Sequence, residues 1–567
     1  MRMTRGRRSL AWLAAPVVLL GAFVAFIAAT LPPRAVVLPG ALPDTLVMGA
    51  YHIHTRRSDG SGTVDDVMTA AANAGLRFVI ITDHGDAMRT PDPPAYRHGV
   101  LEIDAVEVST LAGHIVALGL ERPSPYPLAG TPRDVIEDIH RLGGAAVVAH
   151  PDSPRAGLRY GGTDEGFDGI EWLNADTEWR DESAVHLAAT AARGILRPSE
   201  AVASLFRRPA ASIARWDRAA ATRPVFGLAA LDAHARLGWR MTDEPRGWTL
   251  ARQPSYEAMF RALADVVVLD TPLSGDARSD AARIIAVIRA GHVYGIVRAF
   301  AGPASIEFAA AQANRAPASG GDRLPAAVDT VFRVRVPEWP SAALALVRGR
   351  EVVAAGQGTL SYETSRPGVY RAEAQFGNRA VPWLMSNPIT IGLPTTAPAV
   401  EPAHLDLTAG RVIALPADDG HWDVEREPSS SGEMRVVDDG VTFTFHLGDG
   451  AAHGQYAALV HAVPEDTGVT GIRFAAHANA PMRVSVQVRL GGERLGERWR
   501  RSVYVGPETR TVDVPIGDFD RADGDTADRI DPSRIPAQSL LFVVDTLNTK
   551  PGTGGTVTIG DVQVAAR

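Results

Sequence analysis

Leu46-Val47-Met48-Gly49-Ala50-Tyr51-His52-Ile53-His54-Thr55 decides how this chain is read. The run from Leu46 to Tyr51 is short and apolar, the pattern of a buried strand, and two histidines stand at its carboxyl end. The arrangement recurs. Phe78-Val79-Ile80-Ile81 leads into Thr82-Asp83-His84, Ala145-Ala146-Val147-Val148 into Ala149-His150-Pro151, and the run from Phe226 to Leu231 into Asp232-Ala233-His234. Gly169-Ile170-Glu171-Trp172-Leu173 is a further strand. Between them, Thr63 caps a helix that Gly75 stops, and Thr131-Pro132 opens one that Gly143-Gly144 ends, with proline at the favoured first position. A last helix and strand follow in Asp280 to Ala290 and His292 to Val297. Ligand-type residues at the ends of successive strands are the mark of an α/β barrel site, so residues 45–300 read as one repeated β/α domain.

The residue types point to metal chemistry. Neutral imidazole suits Zn, Fe or Mn, and carboxylates offset the metal's charge. The candidates are His52, His54, Asp59 (in Ser58-Asp59-Gly60), His84, Glu107 (in Glu107-Val108-Ser109-Thr110), His114, His150, Asp232 and His234. The chain has no cysteine, so any metal must be held by nitrogen and oxygen. Asp83 is expected to orient its neighbour rather than ligate, and Glu171 could line the site. Arg155 and Arg159 follow His150 on one loop and are the candidates to grip a substrate phosphate, since guanidinium binds it bidentately. The insertion between Asn174 and Arg223 is helical in composition, either an outer layer or a lid over the site.

Composition sets limits. A chain of 567 residues with 46 % hydrophobic content can bury several cores, and its net charge of −8 lacks the electrostatic footprint of a duplex nucleic-acid binder, so no nucleic acid is expected. Lys550 is the only lysine. Arg2, Arg5, Arg7 and Arg8 precede an uncharged stretch from Ser9 to Pro33 that is long for a signal-peptide core. Residues 1–33 therefore read as a signal anchor, a transmembrane helix that leaves the bulk of the chain periplasmic or extracellular. A signal peptide cleaved near Ala28-Ala29-Thr30 is the alternative.

Beyond Phe300 the pattern is all-β. Short strands such as Val331 to Val336 and Gly368 to Ala372 suggest a small β-sandwich over 301–392. A Pro-rich linker follows at 393–402, and a second all-β domain at 403–567 is expected to be a jelly roll.

With these blocks in place, residues 45–300 resemble the PHP (polymerase and histidinol phosphatase) family of metal-dependent phosphoesterases. The His-x-His-Thr opening, Ser58-Asp59-Gly60, Thr82-Asp83-His84, Glu107 to Thr110 with His114, His150-Pro151 and Asp232-Ala233-His234 carry the likeness. It implies a distorted seven-stranded β/α barrel and two or three divalent ions (Zn, Mn or Fe). Carried over block by block, His52, His54, Glu107 and Asp232 hold one metal. Glu107 bridges to a second held by His114 and His150, and Asp59, His84 and His234 hold a third. Glu107, Asp232 and His234 would then serve catalysis through activated water. Some members have histidine where this chain has Asp59. The domain at 403–567 more loosely resembles carbohydrate-binding, galactose-binding-like jelly rolls, chiefly through Leu540 to Asp545, Asn548 and Val557 to Ile559.

The expected function is that of a membrane-anchored phosphoesterase acting on a small or envelope-associated phosphorylated substrate. The alternatives are an amidohydrolase-like enzyme cleaving a non-phosphate bond, or a carbohydrate- and envelope-binding protein with a sensor barrel. The jelly roll supplies no ligand, so small-substrate turnover is expected to survive its deletion.

Overall fold

A computed structural model describes residues 5–239, 248–251, 253–393, 404–408, 410–450, 454–490, 496–522 and 536–566. The Pro-rich linker lies outside them but for Leu393. The protein is β-rich, with helices concentrated in the first half.

The first helix, α1, spans Arg5–Thr30. Among the described residues no helix is long and apolar enough to cross a membrane, which overturns the expected single-pass anchor and the cell-membrane location drawn from it. The last turn of α1 docks on the body of the protein instead. Ile27 is buried, and Arg193 and Arg197 hold Thr30 and the Pro32 carbonyl.

The strands that position the site are β1 (Leu46–Ile53), β2 (Phe78–Ile81), β3 (Val100–Asp104), β4 (Val106–Thr110), β5 (Gly113–Leu118), β6 (Ala145–Val148), β7 (Gly169–Asn174) and β8 (Phe226–Ala233). β1, β2 and β3 pair in parallel, and a parallel bridge between His84 and Glu107 carries the order on to β4. β4 and β5 pair antiparallel, as do β5 and β6, and then β6, β7, β8 and β1 pair in parallel, so the ring of pairings closes on itself. Both faces of these strands are buried, which explains their nearly continuous apolar sequences. Val47, Tyr51, Phe78, Ile80, Leu101 and Leu228 pack together with Ile284 and Ile288. The alternate residues Met48, Ala50, Val79 and Ile81 belong instead to the larger core that takes in the buried faces of α2 (Val64–Asn73) and α3 (Pro132–Arg141). Both helices begin with capping boxes, at Thr63 with Asp66 and at Thr131 with Asp134.

The expected insertion is four helices: α4 (Ala175–Arg180), α5 (Ala184–Gly194), α6 (Pro198–Ala203) and α7 (Ala210–Ala220). After it, β9 (Ala264–Val268) runs antiparallel to β1 and to β10 (Val293–Ile296), and β10 pairs with Leu384–Ser386. The antiparallel sandwich after residue 300 thus continues the same sheet, and its Phe332, Tyr370 and Trp383 belong to the same core.

The last β unit has a separate core. Its 23-residue strand Tyr456–Ala478 serves two sheets, pairing first with Pro536–Asp545 and then with Gly554–Ala566. It is joined to the first half of the molecule by charge. Arg483 and Arg501 reach across to α3, where Arg483 Nε donates to Asp138 at 2.8 Å and Arg501 Nη1 to Asp134 at 2.7 Å.

Candidate metal centre

Parallel strands bring their carboxyl ends to one side of a sheet, and that is where the histidines and acids meet. His114 is the instructive exception: β5 runs against its neighbours, so its amino end carries the ligand to the same side. Three of the site residues break the strand geometry. His52, His150 and Asp232 adopt left-handed backbone, with φ of 65°, 29° and 49°. Strand register slips between Tyr51 and Ile53 and between Ala230 and Ala233, so bulges turn His52 and Asp232 out of the pleat toward the centre. Non-glycine residues in this region cost on the order of 1–3 kcal/mol each and cluster at functional sites.

Glu107 is the hub. Its Oε2 lies 3.2 Å from His52 Nε2, His54 Nε2 and His84 Nδ1, and its Oε1 lies 2.7 Å from His114 Nδ1 and 2.8 Å from His150 Nε2. Asp232 Oδ1 is 3.2 Å from His54 Nε2 and 3.5 Å from His52 Nε2. His234 Nε2 is 3.2 Å from Asp59 Oδ1, which is also 3.6 Å from His54 Nδ1. All nine expected ligands therefore converge. Among the described residues three groups could hold metal ions: His52, His54 and Glu107; His84, Glu107 and His114; and His54, Asp59, His84 and His234. The grouping differs from the expected one, because His54 and His84 each serve two groups and His150 reaches the centre through Glu107.

The surroundings fix the ring orientations. Glu171 Oε1 sits 2.5 Å from His52 Nδ1, while its Oε2 accepts the backbone N–H of His150 and the Asn174 amide, both at 2.7 Å. The Leu158 carbonyl takes His150 Nδ1 at 2.9 Å, and the Asp232 carbonyl takes His234 Nδ1 at 2.9 Å. Such partners hold the opposite ring nitrogen toward a metal. Asp83 accepts from the Thr55 backbone, the Thr55 hydroxyl and the Ser58 hydroxyl at 2.6–2.7 Å, so it pins the loop after His54 and touches no ligand group directly.

Burial works against every charge here, and the partners decide the outcome. Burial disfavours ionised Glu107, but His52, His84, His114 and His150 hold it well below the carboxylate range. Burial disfavours protonated His54 and His150, yet hydrogen bonds to Asp232 and Glu107 for the first, and to Glu107 for the second, lift them to about 10 and about 9. Burial, with His54 and His114 nearby, takes His84 below its ordinary value. Among the described residues, His84 Nδ1 and Glu107 Oε2 are buried and have no hydrogen-bond partner; they face each other at 3.2 Å without hydrogen-bond geometry. An acceptor-rich pocket with orphaned donor atoms fits a divalent cation.

A cleft of about 630 Å³ opens beside His150 and Asn174 and includes Arg159 and Arg207. Arg159 lies on its wall but donates to carbonyls of its own loop, and Arg155 is exposed and outside it. Sequence reasoning missed Asp176 and Arg180. Asp176 is ion-paired with Arg180 on α4, and Arg180, though burial opposes its charge, is held protonated by Asp176, Asp232 and Asp59. The available signal was the i, i+4 pair directly after an Asn174 cap.

Fold and site define a β-rich protein with a histidine–carboxylate centre in its first half and a sandwich at its end. No protein-family model matches the chain. It is 30% identical over 140 residues to the uncharacterized protein MJ1587 of Methanocaldococcus jannaschii, a match covering 22% of this chain and 80% of the archaeal protein. The chain belongs to that protein's family. Part of the chain also matches β-sandwich modules. One is the family 11 carbohydrate-binding module of Clostridium thermocellum in complex with a mixed-linked tetrasaccharide (14% identity, 27% of this chain, 95% of the module, TM-score 0.23). Another is TmCBM61 in complex with β-1,4-galactotriose (11% identity, 27% and 92%, TM-score 0.17). At these scores the likeness carries no argument about a ligand.

Proposed function

We propose that the chain is a metal-dependent phosphoesterase whose ring of strands is the distorted seven-stranded β/α barrel of the PHP type. The observation that carries this reading is the convergence of nine imidazole and carboxylate side chains, from separate strand ends, around Glu107. His52, His54, Glu107 and Asp232 would hold one ion, His84, His114 and His150 a second with Glu107, and Asp59 with His234 a third. When bound, such cations polarise a phosphoryl oxygen and lower the pKa of water at the site. The protein's own part is positioning. Glu171 and the Leu158 carbonyl aim His52 and His150, Asp83 braces the loop carrying His54, and Arg180 and Arg159 offer guanidinium groups where an anionic substrate would enter.

The test is a panel of chromogenic phosphomonoesters, phosphodiesters and amides assayed with Mn or Zn. Turnover of either phosphate class supports the reading. Turnover of amides alone replaces it with a hydrolase of a non-phosphate bond.

A second reading, carbohydrate binding by the C-terminal unit, draws on its two-sheet sandwich architecture. The strand face bearing Arg483, Ser485 and Gln487 is buried, so a glycan would have to use another surface. Retardation in gels containing soluble glucans or galactans tests it.

A further inference from the structure

Where α3 meets the C-terminal sandwich, a cleft of about 1180 Å³ opens along the seam. Six arginines line it against three carboxylates. Most of the cations are already paired. Arg133 bonds Asp518 at 2.9 Å, Arg473 bonds Asp513 at 2.5 Å, Arg483 and Arg501 are spent on α3, and Arg141 shares Asp138 with Arg483 through a 2.6 Å bond, so that one carboxylate serves two guanidiniums. Arg510 is different. It is exposed and has no carboxylate partner among the described residues. Its guanidinium lies over the Tyr504 ring at 5.0 Å, and that of Arg141 lies over the same ring at 3.8 Å.

Crowding like charges on one aromatic ring costs free energy that an incoming anion would relieve. Burial most of all lowers the proton affinity of Arg510, Arg141 and Arg483 add to it, and Tyr504 pulls the other way. Cation–π contacts also hold planar guanidinium forks in a fixed orientation, which suits bidentate recognition of tetrahedral oxyanions. At about 30 Å³ per water the cleft has room for on the order of 40 waters, several times what one phosphate needs.

We propose that this seam is a binding site for an extended, non-nucleic anionic ligand bearing phosphate or sulfate groups, gripped by Arg510 and Arg141 beside Tyr504. The site shares no residue with the nine-ligand centre, so it stands or falls separately from the phosphoesterase reading.

The experiment is calorimetric titration of the full chain with three probes: inorganic polyphosphate, a sulfated oligosaccharide, and a neutral oligosaccharide. Binding of one or both anionic probes, weakened by salt and absent for the neutral one, is expected. Which anionic probe binds decides between phosphate and sulfate as the source. Arg510→Ala should weaken binding about tenfold and Arg510→Glu should remove it. Arg510 is exposed, so both variants should fold, with circular dichroism as the check. Glu107→Ala should bind as the native chain does, which separates this site from the metal centre. Three results would overturn the proposal: no anionic probe binds, the neutral probe binds equally well, or a folded Arg510→Glu chain binds undiminished. Loss of binding in Glu107→Ala would also overturn it, by placing the anion at the metal centre.

Discussion

Two of the regions in which this molecule buries carboxylates settle the charge in different ways. On α3, Asp134 and Asp138 are met by guanidinium groups from the same chain, with Arg483 alone contacting both and Arg501 adding a further bond to Asp134. At the strand ends, Glu107 and Asp232 are likewise buried but have imidazoles as their near partners, and a Glu107 oxygen has no hydrogen-bond donor. An imidazole can exchange its proton for a metal ion, and a guanidinium cannot. The buried carboxylates of α3 are therefore neutralised within the chain, whereas the centre is built to accept a cation from outside. The difference separates a structural cluster from a functional one more sharply than burial does, since both are buried to the same degree.

The comparison is broken most severely by removing the hub. Glu107→Ala or Asp232→Ala should reduce phosphoester turnover to background and lower the metal content found by elemental analysis. A folded Glu107→Ala chain with near-normal turnover would end the metal assignment. At the seam the expected loss is stability. Arg483→Met leaves Asp138 buried and short of its main partner, which should cost about 3–5 kcal/mol in denaturant unfolding. Asp138→Asn added to Arg483→Met should recover part of the loss, because a buried charge left with only Arg141 and Tyr126 as partners is gone. Deleting 403–567 removes both arginines from α3 at once. A fall in melting temperature is therefore expected alongside whatever small-substrate turnover the truncated chain keeps, and a truncated chain as stable as the whole would contradict the role given to the seam. Glu171→Gln sharpens the other side. It keeps every ligand but weakens the hold on His52, so metal affinity should drop about 10–100-fold, with turnover restored by excess metal.

Much of the centre was legible in the sequence because strand-end histidines and acids are local signals. The apolar runs before His52, His84, His150 and Asp232 are strands or lead directly from them. What was not legible depends on chain direction and on distance. Nothing near Gly113-His114 announces that β5 runs antiparallel, so the entry of His114 from an amino end had no sequence signature. The sharing of His54 and His84 between groups follows from bulges at left-handed residues, which sequence does not mark. The seam joins residues about 350 positions apart, such as Asp134 and Arg483, and alternation within Met482–Leu490 reads as an ordinary half-exposed strand. The N-terminal stretch shows the opposite failure. Its composition invited an anchor, while Arg193 and Arg197 tie its end to the body of the protein.

A third carboxylate extends the comparison with the smallest effect. Glu178 on α4 lines the cleft beside His150, and among the described residues no guanidinium or imidazole is ion-paired with it, although the Arg207 charge lies near enough to act on it. Arg207 gives it only a backbone N–H, at 2.7 Å, and turns its own guanidinium to Glu182. Burial then pushes the Glu178 carboxyl up to about 7, against the pull of that N–H. The folded state thus keeps a proton that the unfolded chain releases, so stability falls as pH rises from about 4.5 to about 7 and levels off above. Glu178→Gln carries no charge to lose and keeps the acceptor for Arg207. The variant should match the native chain near pH 4 and be more stable than it above pH 7, by on the order of 1 kcal/mol after allowance for partial solvent exposure. Parallel denaturant melts across this range give the answer. A stability difference that does not change with pH would mean that Glu178 is ionised throughout, and that this cleft supplies its carboxylate with a cation after all.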